Sequence, residues 1–235
     1  MNQKIPPNLR SRAWLSLVTR MPAFAVALLW PAGTWRWWEA WLLIAIWVVF
    51  AIGITFYLLR HDPELLAERL RSNPIQKEQK PWDKVLMLLM LIAGIGLYIT
   101  PGFDVMRYGW SKPLPVWIEL LAMTVHIPAL MTIAWTMHEN TWLSQVVKID
   151  QARGHQVITT GPYSIVRHPM YTAVIVLVFA VPIALGSRYG LIPAVCLTVI
   201  FVVRTALEDR SLQRELKGYC EYAQQTRFRL IPGLW

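Results

Sequence analysis

A cation, an imidazole and an aromatic hydroxyl stand together at the edge of an apolar run. Arg167 and His168 precede Pro169, the apolar run begins at Met170, and Tyr171 follows directly. Proline is favoured at the first position of a helix, so a helix is expected to begin here. Its free N–H groups and positive dipole end would suit a carboxylate or a phosphate. Two interpretations remain open: a basic anchor at a membrane interface, or a binding site for a polar ligand.

A second polar group follows the next apolar run. Arg204 lies at the end of that run, where an ionisable group is costly unless it is paired or lines a polar cavity. Glu208, one helical turn later, is its expected partner. The pair is either a surface ion pair of little energetic weight or part of a site in which the carboxylate accepts hydrogen bonds from a ribose or an amino group. Tyr219 and Tyr222 are either interfacial aromatic residues or walls of an adenine or lipid pocket.

Further polar residues lie in and after the fourth apolar run. His126 is placed in mid-span beside Pro128, and it is either a hydrogen-bonded core histidine or a contact to substrate. The sequence HENTW, residues 138–142, marks the end of this run. We interpret Asn140 as a candidate catalytic residue, since it is expected on the same side as Arg167. Glu139 and Trp142 are, with His126, the candidate substrate contacts.

The elements that must position these residues are apolar helices. Hydrophobic residues make up 55% of the 235 residues and charged residues 16%, whereas a soluble domain carries about 25% charged residues. Repeated runs of membrane-spanning length predict an all-α, polytopic membrane helix bundle of about six spans. The first span is weak, because it is short unless its start moves back toward Trp14. The expected ranges are 14–33, 38–59, 84–101 and 114–137, then a helical hairpin over 170–205 and a tail with a helix over 206–235.

The distribution of basic residues predicts the orientation. Nineteen of the 23 Lys and Arg residues fall on the side that carries both termini, and the other four are Arg36, Arg107, Lys112 and Arg188. The positive-inside rule therefore places both termini in the cytoplasm. The same rule explains the net charge of +9 better than nucleic-acid binding does, since the bases are scattered between apolar runs. Cys196 and Cys220 are expected in different environments, which predicts neither a disulfide nor a metal site.

The ordered sequences of the C-terminal part are similar to those of a known family. VITTGPYSIVRHPMY at 157–171, RTALED at 204–209 and LKGYCEY at 216–222 resemble the isoprenylcysteine carboxyl methyltransferases, and phospholipid methyltransferases share this pattern. Glu208 matches the first acid of the family's paired-acid element, and Asp209 takes the second place, where glutamate is more usual. The resemblance covers residues 138–235 and divides the chain into a membrane bundle, 1–137, and a methyltransferase region, 138–235.

The resemblance implies a cofactor, S-adenosylmethionine (SAM), bound on the cytoplasmic side. Asn140, Arg167 and Glu208 are the expected catalytic residues. The expected cofactor contacts are Val157, Gly161, Tyr163, Arg167, His168, Tyr171, Arg204, Glu208, Tyr219 and Tyr222. The predicted function is methyl transfer to a lipophilic acceptor, a carboxylate or an amine of a prenylated or lipid-like molecule, in a bacterial inner membrane. Two alternatives remain: an NADPH-dependent reductase of the sterol-reductase type, and a non-enzymatic transporter or scaffold.

Overall fold

The computed structural model describes residues 6–70, 79–147 and 155–235, and across these residues the chain is helical with no strand. The first three helices are α1, Leu9–Ala32, α2, Trp38–His61, and α3, Pro63–Arg69. They are followed by α4, Pro81–Pro101, and α5, Val116–Glu139. The C-terminal part contains α6, Pro169–Ala184, α7, Leu191–Glu215, and α8, Tyr219–Gln225. The predicted all-helical membrane bundle is confirmed.

Helix α1 begins earlier than the expected residue 14. It starts at Leu9 and includes both Pro22 and Pro31. Gly33 ends it with φ = 67°, a left-handed conformation that costs glycine little, and its N–H reaches the carbonyls of the last turn. With 24 residues the helix is long enough to cross a bilayer at 1.5 Å per residue. The helix is therefore three full turns longer than the short apolar core, residues 21–33, suggests.

Helix α4 begins and ends outside the expected range of 84–101. Pro81 occupies its first turn, where the missing N–H costs no hydrogen bond. The chain continues beyond Pro101 as a π-helical segment, Gly102–Tyr108. A side chain at Gly102 would meet the backbone N of Ala32 at 2.8 Å, so glycine permits α1 to approach closely here. The wider helical turns and this contact together set the far end of the bundle.

Helices α6 and α7 form the predicted hairpin. The turn between them contains Gly186 with φ = 71°, and the Ser187 N–H donates to the Pro182 carbonyl at 2.8 Å. The hairpin is longer than the expected 170–205, because α7 continues without interruption to Glu215. The first ten residues of the predicted tail are thus part of α7. The separate tail helix is α8.

A buried carboxylate joins the hairpin turn to the π-helical segment. Asp104 is inaccessible to solvent. Its Oδ1 accepts from the Ser111 N–H at 2.8 Å, and its Oδ2 accepts from the hydroxyls of Ser111 at 2.7 Å and Ser187 at 2.6 Å. A buried carboxylate is tolerated when its oxygens are hydrogen-bonded in this way. The far end of the hairpin is held by these contacts.

Five helical segments within the described residues have the length and composition of membrane spans: Leu9–Ala32, Trp38–His61, Pro81–Tyr108, Val116–Glu139 and Leu191–Glu215. Their outer surfaces expose large apolar side chains such as Val49, Leu91 and Val199, as expected for contact with lipid. Helix α6 has 16 residues and is shorter than these five. It crosses the bundle between the Asp104 contacts and the other end of the molecule. The chain is a multi-pass membrane protein.

The orientation is tested by cysteine labelling in a variant without Cys196 and Cys220. Lys112, beside the Asp104 contacts, and Lys217, between α7 and α8, are both exposed and lie at opposite ends of the bundle. The positive-inside rule predicts that Lys112→Cys reacts with an impermeant maleimide on intact cells. Lys217→Cys should react only after the membrane is opened. The reverse pattern would overturn the orientation.

Candidate functional site

A cavity of about 260 Å³ lies at the end of the bundle opposite the Asp104 contacts. Helices α3, α5, α6, α7 and α8 and the chain at 142–147 and 155–158 contribute to its walls. Most of the residues predicted from sequence line it: Asn140, Trp142, Val157, Tyr163, Arg167, His168, Tyr171, Arg204, Glu208, Tyr219 and Tyr222. Residues far apart in the chain are therefore brought to one cavity.

The carboxylate of Asp209 is the polar centre beside this cavity. Its side chain has no solvent exposure. Arg167 Nε lies 2.8 Å from Oδ1, and Arg229 Nε donates to Oδ2 at 2.9 Å. The hydroxyl of Tyr219 donates to Oδ1 at 3.0 Å, and Gln213 Nε2 donates to Oδ2 at 2.8 Å. One carboxylate thus connects the start of α6, the end of α7, α8 and the C-terminal segment.

Arg167 is engaged on all sides by the protein. Besides its contact with Asp209, its Nη1 donates to the carbonyls of Ala223, Thr226 and Arg227 at 3.1 to 3.3 Å. The backbone N–H groups of Arg167 and of the next residue donate to the carbonyls of residues 228 and 229 at 2.9 Å. This geometry fits a residue that positions the start of α6 and the C-terminal segment, and it leaves little of the guanidinium for a ligand.

Arg204 is paired with a residue that the spacing did not indicate. Its Nε donates to Asp83 Oδ1 at 2.8 Å, and its Nη2 donates to the Gln145 carbonyl at 2.8 Å. Asp83 is fully buried and also accepts from the Val147 N–H at 2.9 Å. The expected pair with Glu208 is therefore wrong. Helical spacing places Glu208 near Arg204, but the partner comes from α4, 121 residues earlier in the chain.

Glu208 is held by an aromatic hydroxyl instead. The Tyr171 hydroxyl donates to its Oε2 at 2.7 Å. The Tyr171 ring stacks on the His168 ring with centroids 5.8 Å apart and planes 3° apart, and the Arg204 guanidinium lies 5.4 Å from its centroid on the other contact. These residues form a wall in which a carboxylate, two stacked rings and a cation are fixed by one another.

Asn140 and Tyr163 form a second wall. The Asn140 amide donates to the Tyr163 hydroxyl at 2.8 Å, and its Oδ1 accepts from the Trp142 N–H at 3.0 Å. The Tyr222 hydroxyl donates to the Tyr163 carbonyl at 2.7 Å. Burial raises the pKa of Tyr163 above its ordinary value, so its hydroxyl stays protonated at neutral pH. Trp142 stacks on His155, and both rings line the cavity.

Glu139 and Gly161 lie outside the cavity and fix the loop before α6. Glu139 Oε2 accepts from the Thr160 hydroxyl at 2.6 Å, and its Oε1 accepts from Trp135 Nε1 at 3.3 Å. Gly161 has φ = 58°, and a Cβ there would come within 2.6 Å of the Glu139 carboxyl carbon. Glycine is required at this position on both counts. These two residues therefore support the cavity from behind and do not line it.

His126 is also remote from the cavity walls. It is fully buried in the middle of α5, and its Nδ1 lies 2.8 Å from the Ala122 carbonyl. The predicted gap beside Pro128 is filled, because the nearby Ala129 and Leu130 are buried in an apolar cluster with Leu177 of α6. The structure therefore brings together neither His126 and the cavity nor the two sides of an opening at this depth.

Two cations of the cavity wall were not indicated by the sequence patterns. Arg69 is the last residue of α3, and Lys80 immediately precedes α4. Lys80 pairs with Glu215 at 2.6 Å. Both cations lie in the predicted connection between the second and third spans, which offered no spacing or motif that would set them apart from topological charges.

The fold and the cavity define an integral membrane protein with a polar site at one end of its helices. Residues 115–217 match the model of the phospholipid methyltransferase family. The match confirms the family resemblance, and it contains α5, α6, α7 and most of the cavity-lining residues. None of the curated proteins gives a significant match to the chain. The chain is thus a membrane protein of which the part that forms the cavity resembles methyltransferases.

The central role of Asp209 gives a stability prediction. Asp209→Asn keeps the size of the side chain but leaves Arg167 and Arg229 without a buried counter-charge. Loss of one partner of a buried ion pair costs about 3 to 5 kcal/mol. We expect a clearly lower melting temperature of the detergent-solubilised protein.

Glu215→Gln is the matched control, since it removes a carboxylate from the more exposed pair with Lys80. Such pairs contribute below about 1 kcal/mol. Equal melting temperatures for the two variants would show that Asp209 is not the centre of this end of the fold.

Proposed function

We propose that the protein transfers a methyl group from SAM to a lipophilic acceptor in this cavity. The observation that carries the proposal is the convergence of the three separated sequences of the family pattern on one cavity. Tyr163 and His168 come from the first, Glu208 from the second, and Tyr219 and Tyr222 from the third. A family likeness produced by apolar composition alone would not gather these polar residues.

The donors and acceptors of the cavity fit the chemical groups of SAM. The Glu208 carboxylate is oriented by Tyr171 and suits the ribose hydroxyls or the amino group. The faces of Tyr219 and Tyr222, whose hydroxyls are bonded to the protein, suit an adenine ring. The stacked rings of His168 and Tyr171 provide an electron-rich surface for a sulfonium cation. When bound, SAM supplies a methyl group that is already activated.

The role left to the protein is to bind, align and exclude water. Asn140 and Tyr163 fix each other at one wall, and Tyr171 and Glu208 do so at another. Walls that are fixed by mutual hydrogen bonds hold two reactants as close neighbours, which is the main contribution a protein can make to transfer of an activated group. A carboxylate acceptor is ionised at neutral pH and needs no base.

A groove between α2 and α5 offers a route for the apolar part of the acceptor. Its lining is largely apolar and consists of Phe50, Gly53, Ile54, Tyr57, Ala134, Trp135 and His138. It ends beside His138, two residues before Asn140 at the cavity. This groove replaces the route beside Pro128, which the packing of α5 against α6 closes. We propose that the acceptor's hydrocarbon chain lies in the groove while its reactive end enters the cavity.

Cofactor binding is the direct test of the proposal. Purified protein is expected to bind SAM at one molecule per chain in calorimetry. Glu208→Ala and His168→Ala should each weaken binding about tenfold or more, because each removes a polar or stacking contact. Glu221→Ala, on the exposed face of α8, is the control and should bind as the wild type does.

Binding of NADPH without binding of SAM would favour the membrane reductase. Binding of neither, in protein that keeps its melting temperature, would favour a transporter or scaffold.

The groove is tested by filling it. A side chain at Gly53 meets nothing within 4 Å, so Gly53→Leu should fill the groove without straining the fold. We expect a raised KM for a lipid acceptor and unchanged SAM affinity. Gly94→Leu on α4 is the matched control, since a side chain there also meets nothing within 4 Å. A wild-type KM in the Gly53 variant would remove the groove from the proposal.

A further inference from the structure

The guanidinium of Arg69 lies at the cavity wall without a strong partner. The backbone carbonyl of Arg69 accepts from Gln145 Nε2 at 2.7 Å, which fixes the end of α3 against the loop that lines the cavity. Its Nη1 is shielded from solvent and has no hydrogen-bond partner. Its Nη2 lies 3.9 Å from Met170 Sδ, and a thioether is a weak acceptor. The backbone is thus anchored while the donors of the side chain remain unused.

The other cations of the wall are all neutralised. Arg167 faces Asp209, Arg204 faces Asp83, and Lys80 faces Glu215. Among the residues that the structure describes, none provides a carboxylate within ion-pair distance of Arg69. A shielded cation without a counter-charge is costly, and proteins normally pair or solvate such groups. The exception at Arg69 therefore calls for a partner from outside the chain.

Arg69 remains charged in this environment. Burial lowers the pKa of its guanidinium to about 10, and the nearby hydroxyls of Tyr171 and Tyr163 partly oppose the shift. The side chain is therefore almost fully protonated at neutral pH. It faces the same cavity as these two tyrosines and Asn140, between the two walls described above.

We propose that Arg69 binds an oxyanion, a carboxylate or a phosphate, of a molecule held in the cavity. The proposal rests on the proposed function and adds a recognition element to it. A guanidinium presents two parallel N–H donors that match the two oxygens of such a group. The oxyanion belongs either to the amino-acid part of the cofactor or to an acidic acceptor, and the chemistry of recognition is the same in both cases.

A purely structural role for Arg69 predicts a different behaviour of the protein without ligands. If the side chain stabilises the bundle, Arg69→Met should lower the melting temperature. If it awaits an anion, the substitution removes an unpaired charge and keeps an apolar stem, so the melting temperature should be unchanged or higher. Arg60→Met is the matched control, because Arg60 is exposed on α2, lies over the Phe56 ring and does not line the cavity.

Binding measurements identify the source of the oxyanion. Calorimetry compares S-adenosylhomocysteine with S-adenosyl-3-thiopropylamine, which keeps the amine and lacks the carboxylate. Oleate is compared in the same way with oleyl alcohol. Loss of a charged hydrogen-bonded contact is expected to weaken binding of the anionic member of one pair about tenfold to a hundredfold in Arg69→Met. Arg69→Lys, which keeps the charge, should recover part of the affinity.

A selective loss for S-adenosylhomocysteine assigns the oxyanion to the cofactor, and a selective loss for oleate assigns it to the acceptor. If Arg69→Met leaves the affinity ratio of both pairs at the wild-type value, or lowers the melting temperature, the proposal is overturned. Failure of the wild type to bind S-adenosylhomocysteine and SAM would instead remove the proposed function, so the two failures are distinguishable.

Discussion

The buried charge of Asp209 is the interaction on which the functional end of the molecule depends. A carboxylate without solvent is stable only when its oxygens are bonded, and Asp209 is bonded by groups from four parts of the chain. Its partners Arg167 and Arg229 belong to segments that have no other reason to lie together. The cavity walls are therefore a consequence of this pairing, since the start of α6 and the tyrosines of α8 take their positions from it.

The hairpin of α6 and α7 is fixed at both ends by buried carboxylates. Asp104 binds the turn through Ser187 at one end, and Asp83 binds Arg204 near the other. Apolar helix faces pack with little directional preference, and lipid offers no driving force to choose one register. Polar contacts at defined positions supply that choice. The hairpin can thus present Glu208 and Tyr171 at a constant height relative to the neighbouring helices.

The sequence contained the elements but not their polar partners. Apolar runs and the proline after His168 predicted the helices, because length and local propensity decide these. The Arg204–Asp83 pair could not be predicted, since helical spacing favours the nearer Glu208 and nothing local indicates a partner 121 residues away. Arg69 was hidden for another reason. A basic residue between two spans is explained by membrane orientation alone, and its lack of a partner is a property of the folded chain.

The division between neutralised and unneutralised cations separates support from recognition. An arginine that is saturated by carbonyls and a carboxylate, as Arg167 is, gains nothing by binding a ligand and would lose its protein contacts in doing so. An arginine with unused donors gains a full set of contacts when an anion arrives. The energetic contrast with Arg69 is therefore large, even though both side chains reach the same cavity. A residue's presence in a family pattern and its readiness to bind a ligand are separate properties, and the second follows from the contacts that the fold has already assigned to it.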